Sequence, residues 1–259
     1  MLKKFQIEEE MTEETLNYCV TYVSEKDPML QFEIRPLTRD LMKQVSDFIS
    51  EIFTTLDPVN ISLGITKEEF SLLSDQAVEI ACNSNMGIVA LEKFSQELAS
   101  VLICVDKYDL KDINAIACEN SESLRTKWNR WITGLKPFNE ITNKYTQPSL
   151  QPLEKIYFKY AATNQKYAGH GLITRLIQFV MSEHPLTKAG KIFFGFCANL
   201  GSAIAFSRCG LRTITEMPYS DMEADGEKIF EGLERIVKEM GLKSPQAIRF
   251  LYLDRSESN

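Results

Sequence analysis

A glycine-containing turn, Lys166-Tyr167-Ala168-Gly169-His170-Gly171, is the part of the sequence best suited to bind an anion. It lies between a predicted strand, 156–162, and a predicted helix, 171–183. The first N–H groups of a helix have no partner within it and carry a partial positive charge, so such a turn can hold a pyrophosphate. Gly169 and Gly171 would let the backbone approach that ligand closely. A glycine turn without a ligand fits the same residues, and both interpretations stay open at this point.

The elements that position this turn are predicted from the spacing of apolar residues. Thr38 is the expected N-cap of the first helix, and Thr66 with Glu69 has the pattern of a capping box. Strands are predicted at 31–35, 87–92, 98–105, 156–162, 191–197, 213–219 and 247–254, and helices at 41–53, 66–81, 171–183, 202–209 and 227–240. This alternation predicts an α/β (α+β) fold with a mixed central sheet of about seven strands flanked by helices.

The chain is expected to form a single domain, 31–259, preceded by an N-terminal extension, 1–30. The extension carries a short helical pattern at 12–23. A helical insertion is predicted at 107–150, where Trp128 and Trp131 have roughly helical spacing and prolines interrupt the flanks.

Composition excludes several classes of protein. The formal net charge of -7 argues against a nucleic-acid binder and suits a cationic substrate such as an amine. Two histidines and six cysteines without a C-x-x-C pair argue against a metal site, and the cysteines suit a reducing compartment. No run has membrane-spanning length and no signal peptide is recognisable, so a cytoplasmic protein without a membrane partner is expected.

The turn resembles the cofactor-binding motif of the GNAT superfamily, R/Q-x-x-G-x-G/A, with Lys166 in place of the usual Arg or Gln. A second block, 197–211, resembles the family's strand followed by a short helix, and the residues around Tyr219 and 225–230 are similar to the arylalkylamine (dopamine-type) N-acetyltransferases. The insertion between the third and fourth predicted strands is similar as well. Lysine keeps the positive charge of arginine but loses its planar fork, whereas the backbone amides of the turn are unaffected.

The resemblance implies an acetyl-CoA site, with acetyl-CoA as the acyl donor and no metal. The fourth predicted strand would pair with the pantetheine amides, and a backbone N–H near Ala162 or Thr163 would bind the acetyl carbonyl. The expected acetyl-CoA-binding residues are Ala161, Ala162, Thr163, Lys166, Tyr167, Ala168, Gly169, His170, Gly171, Leu172, Asn199 and Ser202.

Three residues are candidates for the chemistry. Asp57 takes the position of a glutamate that works through water in the arylalkylamine branch, although Asp57-Pro58 would also suit a plain turn. Ser202 matches a serine near the thiol, or it caps the short helix. Tyr219 could protonate the thiolate or merely pack, and Phe206, at the usual position of a tyrosine acid, cannot donate a proton.

The sequence therefore predicts an N-acetyltransferase that moves acetyl from acetyl-CoA to a primary amine, a small (arylalkyl)amine, by direct attack in a ternary complex. Two alternatives stay open: an acyltransferase acting on protein or peptide amines, and a degenerate GNAT domain that serves as a CoA-binding regulatory or interaction module. The protein is expected to be a monomer or a homodimer.

Overall fold

The structure is a computed structural model, and it describes residues 18–107, 118–147, 151–239, 241 and 247–258. The strands of this part are β1 Val20–Val23, β2 Gln31–Pro36, β3 Gly87–Glu92, β4 Leu98–Asp106, β5 Lys155–Thr163, β6 Ile192–Cys197, β7 Arg212–Pro218, β8 Glu223–Ala224, β9 Glu227–Lys228 and β10 Ala247–Asp254. Eight of them form one sheet in the order β1-β2-β3-β4-β5-β6-β10-β7, and β8 pairs with β9. Within the large sheet, β5 and β6 run parallel, and the other neighbours are antiparallel.

Helices cover both faces of the sheet. The α-helices of the described residues are α1 Met42–Thr55, α2 Pro58–Ser62, α3 Lys67–Asn83, α4 Glu122–Gly134, α5 Lys136–Thr146, α6 Leu172–Ser182, α7 Leu200–Arg208 and α8 Leu233–Glu239. The chain thus has the expected mixed α/β architecture, with one more strand in the sheet than predicted.

Local signals account for several element boundaries. The Thr66 hydroxyl accepts a hydrogen bond from the Glu69 N–H and the Glu69 carboxylate accepts one from the Thr66 N–H, so the predicted capping box starts α3. Thr38 precedes a short 3-10 turn and makes no cap bond to the chain, and α1 follows at Met42.

The buried apolar residues form three clusters. One lies between the sheet and α6 with α7, a second lies between the opposite face and α1 with α3, and a third joins α4, α5 and α8 to the β6-β10-β7 side. Representative members, in that order, are Phe158, Leu176 and Phe193; Ile49, Leu73 and Val101; and Trp131, Phe138 and Phe230. The predicted insertion therefore supplies helices that pack onto the domain core.

Three boundary predictions were wrong. Val20–Val23 is an edge strand paired with β2, not the end of a helix, because its partner strand supplies the backbone bonds that four residues alone cannot. The helix predicted at 227–240 begins only at Leu233, since Asp225 and Gly226, both at positive φ, make a hairpin turn between β8 and β9. The helix predicted at 202–209 begins two residues earlier, at Leu200.

Some sequence predictions lie outside the described residues, namely the 12–17 part of the helical pattern, the 108–117 and 148–150 parts of the insertion, and Met240. Among the helices that are described, none combines the length and the apolar character needed to cross a bilayer. Nor do those residues place three or more His, Cys, Asp or Glu side chains where they could hold a metal ion.

Candidate active site

The parallel strands β5 and β6 separate partway along their length. Their pairing runs from Lys155 opposite Ile192 to Phe158 opposite Gly195, whereas β5 continues to Thr163 and β6 to Cys197. Beside the point of separation, the register between β4 and β5 shifts, which makes Lys159 the extra residue of a β-bulge. Beyond Phe158, the β6-facing edge of β5 pairs with no described strand, so it can accept an extended ligand.

A cleft of about 710 Å³ opens where the two strands part. Its walls come from the end of β5, the glycine turn with the first residues of α6, the α7 segment, the β1–β2 hairpin, and the region around α1 and α2. The predicted site residues that line it are Ala161, Ala162, Thr163, Tyr167, Ala168, Gly169, His170, Gly171, Leu172, Asn199, Ser202 and Tyr219.

The glycine turn presents free backbone donors to this cleft. Gly169 and Gly171 have φ of +80° and +79°, and Gly171 is the N-cap of α6. No side chain of the described residues caps this helix, so its first N–H groups are left for solvent or a ligand. Uncapped N–H groups of this kind can bind an anion.

Lys166 lies elsewhere. Its Nζ is 2.6 Å from Glu97 Oε2 and the side chain is largely exposed, so it is not among the residues that line the cleft. The hydrogen bond to Glu97 raises the pKa of Lys166, which stays charged. Tyr167 next to it is buried and donates its hydroxyl to the same carboxylate at 2.8 Å. The contacts of Glu97 with Lys166 and Tyr167 thus attach the turn to the β3–β4 hairpin. A phosphate contact by Lys166 stays a prediction.

The opposite wall is the start of α7. Asn199 is its N-cap, and Asn199 Oδ1 accepts a hydrogen bond from the Ser202 N–H at 2.9 Å. Capping by Ser202 itself, one of the two predicted interpretations, is therefore wrong. The Ser202 hydroxyl donates to the Asn199 carbonyl oxygen at 3.0 Å, and Ser202 lines the cleft beside the exposed side chains of Leu200 and Ile204.

Asp57 is buried beside the cleft rather than in it. It caps α2, because its Oδ1 accepts hydrogen bonds from the N–H groups of Val59 at 2.8 Å and Asn60 at 3.4 Å. The next residue, Pro58, lines the cleft. Burial raises the pKa of Asp57 to about 6, although the two amides act in the opposite direction. A carboxyl group with this pKa changes its protonation state close to neutral pH.

Tyr219 follows β7 in a 3-10 turn and lines the cleft near Asp57. Its hydroxyl donates a hydrogen bond to the Ala198 carbonyl at 2.9 Å. Burial, together with the negative charge of Asp57, raises the pKa of Tyr219 well above its ordinary value. Tyr219 is therefore the cleft residue that lies near both the buried Asp57 and the segment leading into α7.

Phe206 has a packing function. Its ring lies edge-on to Phe158, with the centroids 5.2 Å apart, and a Cβ added at Gly195 would be 2.5 Å from its Cε1. The ring thus fills the space where β6 lacks a side chain, next to the last pair of the parallel strands.

Several cleft residues were not predicted from the sequence. Tyr22, Glu25 and Lys26 come from the β1–β2 hairpin, Ile52 and Leu56 from the end of α1, and Arg208 from the end of α7. No local motif marks these residues, because tertiary packing alone brings them to the cleft. The 225–230 segment, one basis of the arylalkylamine resemblance, forms the β8–β9 hairpin and the residues after it.

No family model matches the sequence, and neither does any curated protein. Solved structures do match. Arylalkylamine N-acetyltransferase 2 from Aedes aegypti aligns with a TM-score of 0.63 and 14% identity over 86% of this chain and 99% of its own. A mosquito arylalkylamine N-acetyltransferase-like 5b aligns with a TM-score of 0.61 and 17% identity over 85% and 98%.

The chain has the GNAT fold. A polyamine N-acetyltransferase of Drosophila melanogaster, which forms N-acetylagmatine, also aligns, with a TM-score of 0.57 and 13% identity over 86% of this chain and 99% of that one. The parting of β5 and β6 lies beside the glycine turn of this GNAT fold, so the predicted strand, turn and helix are confirmed in their expected order.

Proposed function

We propose that this protein transfers the acetyl group of acetyl-CoA to a primary amine. One observation carries the proposal: the unpaired edge of β5 and the uncapped start of α6 open onto the same cleft. An extended thioester ligand with a pyrophosphate needs a strand edge for its amides and N–H donors for its phosphates, and the cleft offers both. The structural relatives, which are named for amine acetylation, support the same reaction class.

The backbone performs most of the binding. The amides from Gly169 to Leu172 would hold the pyrophosphate, and the β5 edge at Ala161 to Thr163 would pair with the pantetheine amides. A backbone N–H of that edge would donate to the acetyl oxygen, which gains negative charge as the amine attacks. Leu200 and Ile204 supply apolar surface on the opposite wall.

The reaction is a direct displacement. An acceptor that arrives as an ammonium ion first loses one proton to a base. The neutral amine nitrogen then forms a bond to the acetyl carbon, the carbon–sulfur bond breaks, the nitrogen gives up a second proton, and the thiolate takes up one. Asp57 is the proposed acceptor of the first proton, the one that the ammonium group loses. Because Asp57 does not line the cleft itself, whereas Pro58 and Tyr219 do, the proton would pass through a water molecule. Its raised pKa, about 6, reduces the mismatch with an ammonium group of pKa about 10.

Two hydroxyl groups are candidates to protonate the thiolate. Each hydroxyl already donates to a backbone carbonyl, but Ser202 is partly exposed in the cleft, whereas Tyr219 is buried. A thiol has a pKa of about 8.5, so its thiolate leaves without a strong acid, which is consistent with Phe206 at the position of the usual tyrosine. We assign this function to Ser202 and a positioning function to Tyr219.

Comparing two variants tests that assignment. Ser202→Ala should lower kcat by about ten-fold, less than the roughly 100-fold or more that is typical of a general acid, because the thiolate leaves without a strong acid. Tyr219→Phe should change kcat less and lower the free energy of unfolding by about 1 kcal/mol, because it removes one buried hydrogen bond. The assignment is reversed if Tyr219→Phe costs more in kcat than Ser202→Ala at unchanged stability.

The acceptor is proposed to be a small primary amine. The net charge of -7 favours a cationic acceptor, and relatives of the same fold are named for arylalkylamines and polyamines. The decisive experiment incubates the protein with acetyl-CoA and tryptamine, dopamine, a polyamine or a lysine peptide, and follows release of free thiol. Release with a small amine supports the proposal, and release with the lysine peptide alone would assign a protein or peptide acceptor.

The same experiment addresses the binding-module alternative, which the packing function of Phe206 and the capping function of Asp57 favour. Acetyl-CoA binding without thiol release from any amine would identify such a module. Absence of both binding and release would exclude the proposed function altogether.

A further inference from the structure

The β1–β2 hairpin lies across the glycine turn and is attached to it by side-chain hydrogen bonds. The Tyr22 hydroxyl donates to the His170 carbonyl oxygen at 2.8 Å, and Ser24 Oγ lies 2.8 Å from His170 Nδ1. Ser24 Oγ also accepts from the N–H groups of Lys26 and Asp27, at 3.2 and 3.3 Å. Since those two bonds use the acceptor capacity of the hydroxyl, its proton is available to His170 Nδ1.

These bonds place a lysine beside the turn. A Cβ added at Gly169 would lie 3.0 Å from Lys26 Nζ, and one added at Gly171 would lie 2.9 Å from the Tyr22 hydroxyl oxygen. Lys26 lines the cleft, and none of the described carboxylates lies within 4 Å of its Nζ. Lys166, the basic residue of the motif, is by contrast paired with Glu97. The ammonium group available at the turn therefore belongs to Lys26.

We propose that Lys26 is a ligand of the donor's pyrophosphate, and that the β1–β2 hairpin is part of the acetyl-CoA site. This inference rests on the proposed function. Lys166, the lysine of the motif, is paired with Glu97, so Lys26 supplies the positive charge at the turn from outside the motif. The hydrogen bonds of Tyr22 and Ser24 to His170 hold the hairpin in place. Gly169 and Gly171 are needed because a side chain at either position would meet the hairpin.

Glu25 provides a test of opposite sign. It lines the same cleft, and burial together with the Glu25 charge raises the pKa of the Tyr22 hydroxyl, which places the carboxylate close to the turn. If the turn binds a pyrophosphate, a carboxylate there opposes binding while the Lys26 ammonium favours it. Glu25→Gln and Lys26→Met should therefore change the affinity in opposite directions, which general damage to the hairpin cannot do.

Calorimetric binding of CoA, dephospho-CoA and pantetheine to the full chain tests the proposal. Lys26→Met should raise the Kd of both CoA and dephospho-CoA by about ten-fold, as expected for one contact between charged groups at an exposed site, and leave pantetheine unchanged. Lys26→Arg should restore most of the affinity, and Glu25→Gln should tighten binding of both nucleotides. Lys43→Met, which removes an exposed lysine of α1 paired with Asp47, is the charge-matched control and should bind as the wild type does.

The outcomes separate this inference from the proposed function. A wild-type chain that binds no CoA contradicts both. Wild-type binding with an unchanged Kd in Lys26→Met overturns the inference about the hairpin and leaves the proposed function standing. A loss of affinity for CoA but not for dephospho-CoA would overturn the pyrophosphate assignment, because it would place Lys26 on the 3'-phosphate.

Discussion

Asp57 has an observed function as a helix cap and a proposed function in catalysis. It caps α2 through the N–H groups of Val59 and Asn60, and it is the proposed base. Asparagine caps helices as well as aspartate does but cannot accept a proton at neutral pH, so Asp57→Asn separates the two functions. We expect kcat/KM to fall by about 100-fold, the lower range of general-base contributions.

The pH profile gives the sharper measurement. The base acts as a carboxylate, so kcat/KM of the wild type should rise with pH through about 6, the pKa of Asp57, and the variant should lose this inflection. Thr66→Ala removes the N-cap of α3, a helix that does not line the cleft, and this variant should keep the inflection near pH 6. An Asp57→Asn enzyme with the wild-type rate and profile would reduce Asp57 to a helix cap.

At the scale of elements, the start of α6 is the feature on which the proposed binding of acetyl-CoA depends. Gly171 and Gly210 both have positive φ, but only Gly171 lies in the cleft, and a Cβ at Gly210 would meet nothing within 4 Å. Alanine at either position costs about 1 kcal/mol in backbone strain. Gly171→Ala should in addition weaken CoA binding by ten-fold or more, because its Cβ would displace the Tyr22 hydroxyl from the turn. Equal affinities of the two variants in calorimetry would show that the turn does not bind the nucleotide.

The packing at the last pair of β5 and β6 depends on a second glycine. Alanine at Gly195 would place Cβ 2.5 Å from Phe206 Cε1, within a buried cluster. Overpacking of this kind costs about 1–3 kcal/mol, which urea unfolding would detect. Gly201→Ala, whose Cβ would come no closer than 3.4 Å to Asn199 Oδ1, should show no such loss. A second change, Phe206→Leu, should recover part of the stability of Gly195→Ala, and a simple sum of the two losses would refute the proposed contact.

Elements with local signals were predictable from the sequence, and those held by distant contacts were not. Thr66 with Glu69 determines where α3 starts, and the glycines at 169 and 171 mark the turn before α6. Edge strand β1 has no such mark, because its four residues depend on pairing with β2. Asp225-Gly226 is a dipeptide typical of hairpin turns, and here it forms the turn between β8 and β9 although the spacing of the residues after it predicts a helix. Of the candidate site, the motif residues could be predicted, whereas Lys26 and Arg208 reach the cleft only through the tertiary fold.

At the scale of the whole molecule, two buried groups should make the stability depend on pH in opposite directions. His184 is packed against Tyr18 and Phe179, and burial lowers its pKa to about 4. The unfolded chain, with a histidine pKa near 6.5, then binds more protons than the folded one between about pH 4 and 6.5, so the contribution of His184 is lost as the pH falls through that window. Burial raises the pKa of Asp57 to about 6, so its contribution decreases as the pH rises from about 4 to 6.

The two contributions, each up to about 3 kcal/mol, offset one another in the wild type and should be revealed by removing either group. In His184→Gln the Asp57 contribution remains, so the free energy of unfolding should decrease, relative to the wild type, as the pH rises from 4 to 6.5. In Asp57→Asn the His184 contribution remains, so stability should decrease more steeply than in the wild type as the pH falls over the same range. Urea unfolding at half-unit steps of pH measures both differences, and the other carboxylates cancel because they are common to all three proteins. Parallel pH curves for the three proteins would mean that the fold shifts the pKa of neither group. The raised pKa of Asp57, on which the proposed base depends, would then be refuted as well.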